Sequence, residues 1–188
     1  IEFYEALGAE ELGEVPRRGV GINDDCCCLF SPDLYERYCV PYLERLFDAF
    51  APGPQCKRRQ HSDSAMGHLM PTLNRLGVNE VNFGPTLHPS EIRDAMPAAT
   101  VHGQMPPMLL RNGSPEAIRK RIIEDFHNAG GAGGLEVTTA GSTWLSTTKL
   151  LIRLVCQELI HQTMKLYSQH REEPKPFLLQ TAMILELT

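Results

Sequence analysis

The sequence lacks a long hydrophobic run, and no stretch approaches the roughly 18 apolar residues that a membrane-spanning helix needs. It also lacks a clustered basic face, because its 18 Lys and Arg residues are scattered and its net charge is −5. Phosphate binding requires clustered cations, which argues against nucleic acid as the main partner. No Cys-x-x-Cys pair is present, which argues against a zinc ribbon. What remains is an ordinary globular composition, with 42% hydrophobic and 22% charged residues.

The six cysteines do not form a disulfide pattern. Three of them, Cys26–Cys28, are consecutive, and neighbouring residues on a strand point to opposite faces. We therefore expect reduced thiols, mostly buried as small apolar side chains, in a cytoplasmic protein. The sequence begins at Ile1 without the basic start and apolar run of a signal peptide, so we expect a piece of a longer protein or a processed product.

Short apolar strands alternate with amphipathic helices along the chain. Strands are predicted at 20–23, 56–61, 78–83, 100–104 and 135–139. Helices are predicted at 1–12, 31–50, 67–76, 89–96, 114–128 and 147–170, the second of them kinked at Pro41. Strict alternation of this kind predicts an α/β fold with a parallel sheet.

Polar side chains gather just after the predicted strands. Parallel sheets of α/β proteins carry their active sites at these strand ends. Because several separate strands contribute, we interpret the set as a candidate active site rather than as ordinary strand-end polarity. Its members are Asp24, Asp25, His61, Asp63, Asn82, His102, Gln104, Thr138 and Thr139.

The order of several short segments along the chain indicates a family resemblance. These segments are Asp24-Asp25, Leu29-Phe30-Ser31-Pro32, His61-Ser62-Asp63, Asn82-Phe83-Gly84-Pro85 and Val101-His102-Gly103-Gln104. From about Gly19 to Tyr167, this series resembles the uroporphyrinogen decarboxylase (URO-D) superfamily. The resemblance implies a (β/α)8 TIM-barrel-type fold, of which this chain supplies about strands four to eight. Residues 1–170 would form this partial barrel, and residues 171–188 a linker and an apolar tail. The implied chemistry is tetrapyrrole decarboxylation or corrinoid- or coenzyme-linked methyl transfer.

Departures from the family pattern bear on the reaction. Asp25 stands where the decarboxylases have a small hydroxyl residue, so a highly carboxylated porphyrinogen would meet repulsion from Asp24 and Asp25. Ala140 stands where the decarboxylases have a histidine and where the zinc-dependent methyltransferases have a late cysteine ligand. The resemblance therefore favours metal-assisted methyl transfer slightly. A uroporphyrinogen-type decarboxylase and a non-catalytic truncated paralogue remain the alternatives.

The candidate catalytic residues are Asp24, Asp25, His61 and Asp63. His61 and Asp63 are two residues apart at a strand end, so their side chains point the same way. In the family's methyltransferases a His-x-Cys pair binds zinc, and here Asp63 replaces the cysteine. With Asp25 from the neighbouring strand, the pair could form a nitrogen–oxygen site for zinc or another divalent ion. The alternative is a hydrogen-bonded pair that orients loops.

The candidate substrate contacts are Asn82, His102, Gln104 and Thr139. His102 and Gln104 have the same two-residue spacing, so we expect them to share a face of the sheet. The expected partner is a small molecule, either a tetrapyrrole or a corrinoid.

A further prediction concerns assembly. Half a barrel exposes two sheet edges and an unfilled interior, so we expect the chain to pair with another copy or with a missing N-terminal half. Analytical ultracentrifugation of the purified chain should therefore not give a stable monomer. A monodisperse monomer that unfolds cooperatively would contradict this prediction.

Overall fold

A computed structural model describes residues 19–129 and 134–140. The strands are β1 (Gly19–Asn23), β2 (Lys57–Ser62), β3 (Glu80–Phe83), β4 (Thr100–His102) and β5 (Leu135–Glu136). The helices are α1 (Pro32–Tyr38), α2 (Val40–Phe50), α3 (Met70–Arg75), α4 (Pro89–Ala95), α5 (Pro107–Asn112) and α6 (Pro115–Asn128). Two 3-10 turns, Cys26–Leu29 and Gly67–Leu69, precede α1 and α3.

The five strands form one sheet in the order β1-β2-β3-β4-β5, and every neighbouring pair is parallel. Sequential order with all strands parallel is the arrangement of a (β/α)8 barrel, in which each strand lies beside the next one in the chain. The predicted α/β fold with a parallel sheet, as part of a barrel, is therefore confirmed. All five predicted strands are present, and their carboxyl ends lie along one edge of the sheet.

Local signals explain where most helices begin. The Ser31 hydroxyl accepts a hydrogen bond from Leu34 N at 3.3 Å, and the Ser114 hydroxyl accepts one from Ala117 N at 3.2 Å. In both helices proline occupies the first turn, where its missing N–H leaves no hydrogen bond unmade.

The helix predicted over residues 31–50 is instead two helices that meet at Cys39. Pro41 does not kink a continuous helix, because it lies in the first turn of α2, where proline fits. Helix α5 and the 3-10 turn at Cys26–Leu29 were not predicted, since both are too short to show a hydrophobic period.

The helices cover one face of the sheet. Val81, Phe83 and Val101 are completely buried, and they pack with side chains from the helices in one core. Partly buried side chains of β1 and β5 extend this core across the sheet. The helix side chains in it include Tyr35, Phe47, Leu73 and Ile92. The opposite face of the strands carries polar residues.

The side chain of Arg58 connects the C-terminal ends of two helices. Arg58 donates to Ala51 O through Nε at 3.1 Å and through Nη2 at 2.8 Å, and to Leu76 O through Nη1 at 2.8 Å. These oxygens lie at the C-termini of α2 and α3, where the carbonyl groups lack helical partners. The guanidinium also lies 4.9 Å from the centroid of the Phe47 ring.

Some predictions fall outside the described residues. They are the helices at 1–12 and 147–170 and the linker and tail at 171–188. Within residues 19–129 and 134–140, no helix has the length and hydrophobicity to cross a membrane.

Replacing Arg58 with methionine should lower the free energy of unfolding by about 2 kcal/mol, because carbonyl oxygens at two helix ends lose a charged donor. Arg59→Met is the matched control, since Arg59 is the next residue and its side chain is exposed. Urea unfolding followed by circular dichroism measures both variants. Equal losses in the two variants would show that the contacts of Arg58 contribute nothing specific.

Candidate active site at the strand ends

A row of polar side chains crosses the face of the sheet that lies opposite to the described helices. Asn23, His61 and Asn82 lie in register on β1, β2 and β3. The register of the next two strands continues this row to His102 and Glu136. In-register neighbours of a parallel sheet point to the same side, so these five side chains line one surface near the carboxyl ends.

His61 and Asn82 form the closest side-chain contact in this row. The His61 Nδ1 atom lies 2.7 Å from Asn82 Oδ1. The Asn82 amide nitrogen donates to the main-chain oxygens of His102 and Thr139, the latter at 3.2 Å. Asn82 therefore links His61 to the ends of β4 and β5, and it is buried there with 4% of its surface exposed.

Asp25 and Asp63 lie beside His61 at the same edge. The Asp25 Oδ1 atom accepts a hydrogen bond from Asp63 N at 2.7 Å, which joins the ends of β1 and β2. The Asp63 Oδ1 atom lies 3.6 Å from His61 Nε2, which is within ion-pair range but too long for a hydrogen bond. The structure thus brings together His61, Asp63, Asp25 and Asn82.

Asp24 lies directly after β1, at the strand end where the sequence predicts it. Its Oδ1 atom accepts hydrogen bonds from Cys26 N at 2.9 Å and from Cys27 N at 3.1 Å. A carboxylate that accepts from the free N–H groups at the start of a turn stabilises that turn. The catalytic role of Asp24 stays a prediction.

His102 and Gln104 do not share a face as predicted. Gln104 is completely buried, and its amide nitrogen donates to Gly84 O and Leu87 O at 3.1 Å each. The chain turns between the two residues at Gly103, whose φ of +112° favours glycine. Gln104 therefore holds the loop after β3 through its amide nitrogen, and its role as a substrate contact stays a prediction.

His102 belongs to a network of polar side chains that the sequence patterns did not predict. Its Nδ1 atom lies 3.1 Å from Glu136 Oε2, and its Nε2 atom lies 3.6 Å from Glu80 Oε2. Glu80 also pairs with Lys57 at 2.7 Å. Polar residues at every second position of β3, opposite buried Val81 and Phe83, were the available signal for this face.

The described residues do not complete the predicted metal site. Among residues 19–129 and 134–140, no group of three or more His, Cys, Asp or Glu side chains converges to hold a metal ion. His61 and Asp63 are adjacent, but one oxygen of Asp25 is engaged by the main chain of Asp63. Ala140 is buried, and its methyl side chain offers no ligand atom.

These features together define a partial (β/α)8 barrel with an acidic and imidazole-bearing cluster at its strand ends. A family model described as uroporphyrinogen decarboxylase (URO-D) matches residues 18–134, more than half of the chain. The chain belongs to the uroporphyrinogen decarboxylase family.

A solved structure supports the fold. A methyltransferase from Methanosarcina mazei superposes with a TM-score of 0.56 at 14% sequence identity. The match covers 74% of this chain but only 42% of that protein, so the chain spans less than half of the length of this neighbour. A search of curated proteins found no match.

The cysteines next to the site differ in their surroundings. The five that the structure describes are free thiols, but only Cys27 and Cys56 are buried, fewer than expected. The Cys27 Sγ atom donates to Asp24 O at 3.0 Å and lies 3.4 Å from Met66 Sδ. Burial, and then the charge of Asp24, raise the pKa of Cys27 to about 12.

Cys27 should therefore resist alkylation while its neighbour Cys26 reacts. At pH 8, a thiol with a pKa of about 12 is ionised in only about one molecule in ten thousand, and only the thiolate is nucleophilic. Cys26 is exposed in the same turn and provides the internal control. Iodoacetamide labelling followed by peptide mass spectrometry should give a rate at least about 100-fold slower for Cys27. Equal rates would mean that Cys27 is not buried as described.

Proposed function

We propose that this chain is the C-terminal half of a catalytic barrel that acts in tetrapyrrole- or corrinoid-linked chemistry, and that its reaction is methyl transfer rather than decarboxylation. Family membership supports a catalytic barrel at the coarse level. The name of the structural neighbour, a methyltransferase, supports the finer choice. The observation that carries the proposal is the cluster of His61, Asp63 and Asp25 at the strand ends.

The charge of this cluster favours methyl transfer. Asp25 and Asp63 are both exposed at the carboxyl edge of the sheet. A porphyrinogen that carries many carboxylates would approach two negative charges there, and like charges at such an entrance weaken binding. The exposed cations on the same strand, Lys57 and Arg59, lie four and two residues further toward the amino end than His61, away from this edge. A substrate without clustered carboxylates fits this entrance better.

The polar face of the sheet, opposite to the described helices, favours a polar substrate. In a closed barrel this face points inward, and it is normally filled by branched apolar side chains. Here it carries His61, Asn82, His102 and Glu80 instead. We propose that a polar substrate, a tetrapyrrole or corrinoid or a small molecule that exchanges a group with one, occupies the space in front of this face.

Two parts of the proposal extend beyond the described residues. We propose that the chain functions in association with the missing N-terminal half or with a second copy, because the sheet alone lacks a closed interior. The zinc or other divalent ion also stays a prediction. It requires a third ligand besides His61 and Asp63, and a bound metal would activate a thiol or water.

The decisive experiment uses the assembled protein that contains this chain, with methyl transfer to a corrinoid and decarboxylation of uroporphyrinogen assayed side by side. Replacing His61 with alanine should lower methyl-transfer turnover by at least about 100-fold, because the imidazole is the basic group of the cluster. Asp63→Asn should also lower it. Asp48→Asn, an exposed carboxylate on α2, is the control and should leave turnover unchanged.

Elemental analysis of the same four proteins separates the remaining possibilities. About one divalent ion per chain, lost with His61→Ala and Asp63→Asn but not with Asp48→Asn, would support a metal at the cluster. Uroporphyrinogen decarboxylation without methyl transfer would overturn the proposed reaction in favour of a carboxy-lyase. Absence of both activities in the assembled protein would indicate a non-catalytic paralogue.

A further inference from the structure

We infer that Asn82 is a positioning residue that fixes the tautomer of His61, with the proton on Nδ1 and a bare Nε2 that faces Asp63. The tautomer follows from hydrogen bonds among described residues alone. Its meaning for catalysis rests on the proposed function, because there the cluster around His61 is the reactive group.

The first step is the orientation of the Asn82 amide. One end of this amide faces the main-chain oxygens of His102 and Thr139. Carbonyl oxygens only accept hydrogen bonds, so this end must be the NH2 group. The flipped amide would place its oxygen against two other oxygens in a site where Asn82 is 4% exposed, and water has little access to compensate.

Gly103 makes this orientation possible. A Cβ atom at residue 103 would lie 2.9 Å from Asn82 Nδ2, closer than side-chain carbons approach other atoms. The absence of a side chain at this position lets the amide nitrogen reach the oxygens of His102 and Thr139. Main-chain oxygens thus hold the NH2 end of the Asn82 amide, and the oxygen end of the amide faces His61.

The second step is the proton on His61. Because the NH2 group of Asn82 donates to these two main-chain oxygens, the Oδ1 atom is the end that faces His61 Nδ1, at 2.7 Å. An amide oxygen only accepts, so the hydrogen bond exists only if Nδ1 carries the proton. In the neutral ring Nε2 then has a free lone pair.

Asp63 would favour the opposite tautomer of His61, with the proton on Nε2, but its position is less favourable than that of Asn82. Its Oδ1 atom would accept a proton from Nε2, but at 3.6 Å it lies beyond hydrogen-bond distance. Asp63 is also 46% exposed, so water screens its charge, whereas Asn82 is buried and held in place. The contact with Asn82 therefore decides the tautomer.

A bare Nε2 atom at the strand ends accepts a hydrogen bond. The chemical class that it recognises is a neutral donor, such as the thiol or hydroxyl of a small molecule. Asn82 thus occupies Nδ1, and its role is to keep Nε2 open before the substrate arrives.

The protein contains its own reference for this assignment. His68 Nε2 lies 2.9 Å from Phe30 O, and because this oxygen only accepts, His68 must carry its proton on Nε2. Long-range 15N–1H correlation spectra of the labelled chain at pH 8 distinguish protonated from bare ring nitrogens. We expect His61 and His68 to show opposite patterns in one spectrum.

Two variants complete the test. Asn82→Ala should remove the preference for Nδ1–H at His61 and move the proton toward Nε2, while the unchanged pattern of His68 reports that the surrounding structure is intact. Asp63→Asn should leave the His61 tautomer unchanged. Should Asn82→Ala fail to fold, the wild-type and Asp63→Asn spectra still decide the assignment.

The inference is overturned if wild-type His61 carries its proton on Nε2, or if both nitrogens are protonated at pH 8. It is also overturned if Asp63→Asn, rather than Asn82→Ala, changes the tautomer. These spectra do not depend on turnover. A correct tautomer without methyl transfer would leave the positioning role intact and remove only the proposed reaction.

Discussion

In a parallel sheet, successive side chains point to opposite faces, and the rest of this structure depends on how the sequence uses that alternation. On β3, Val81 and Phe83 point into the core beneath the helices, while Glu80 and Asn82 point the other way. Burial of the apolar face against the helices makes the dominant favourable contribution to the stability of the fold. The polar face is thereby free to carry chemical groups. One residue of slippage would exchange the two faces and abolish both the core and the site.

Hydrogen bonds of polar side chains connect the strand ends at the site. Asn82 joins His61 to the main chain of β4 and to Thr139, and Asp25 joins β1 to the start of the loop after β2. Asp24 and Gln104 also form hydrogen bonds with main-chain groups at these strand ends. For Gln104 the site is buried, where leaving such groups unpaired costs more than the hydrogen bonds gain. Part of the polar character of the strand ends therefore serves to hold the loops.

The description of the family model and the name of the structural neighbour refer to different reactions. The family model is named for a decarboxylase, whereas the solved neighbour is a methyltransferase. The fold is common to both, so it does not select the reaction. In the proposed function the choice of reaction depends on a few side chains, the acidic pair Asp25 and Asp63 and the imidazole of His61. A charged entrance discriminates between substrates by their charge, even where the barrel behind it is shared.

The sequence by itself determined the elements and the edge at which the site lies. Serine and proline at the helix starts, glycine at the turns and the strict alternation of strands and helices are local signals, so they predicted the parallel sheet and all five strands. They also predicted that His61, Asp63, Asp25 and Asn82 belong to one edge. Cys39, where the predicted long helix divides, shows the limit of such signals, because a continuous hydrophobic period conceals a break between two helices.

Only the tertiary structure decided which polar residues act as scaffold and which remain available. Asp24 and Gln104 look as reactive in the sequence as Asp63, and their hydrogen bonds to main-chain groups appear only when the loops are in place. The network of Lys57, Glu80 and His102 depends on strand register. The orientation of His61 depends on Asn82, which lies 21 residues away in the chain and 2.7 Å away in space. Hydrogen-bond direction and distance are properties of the folded chain, and local sequence patterns carry no information about either.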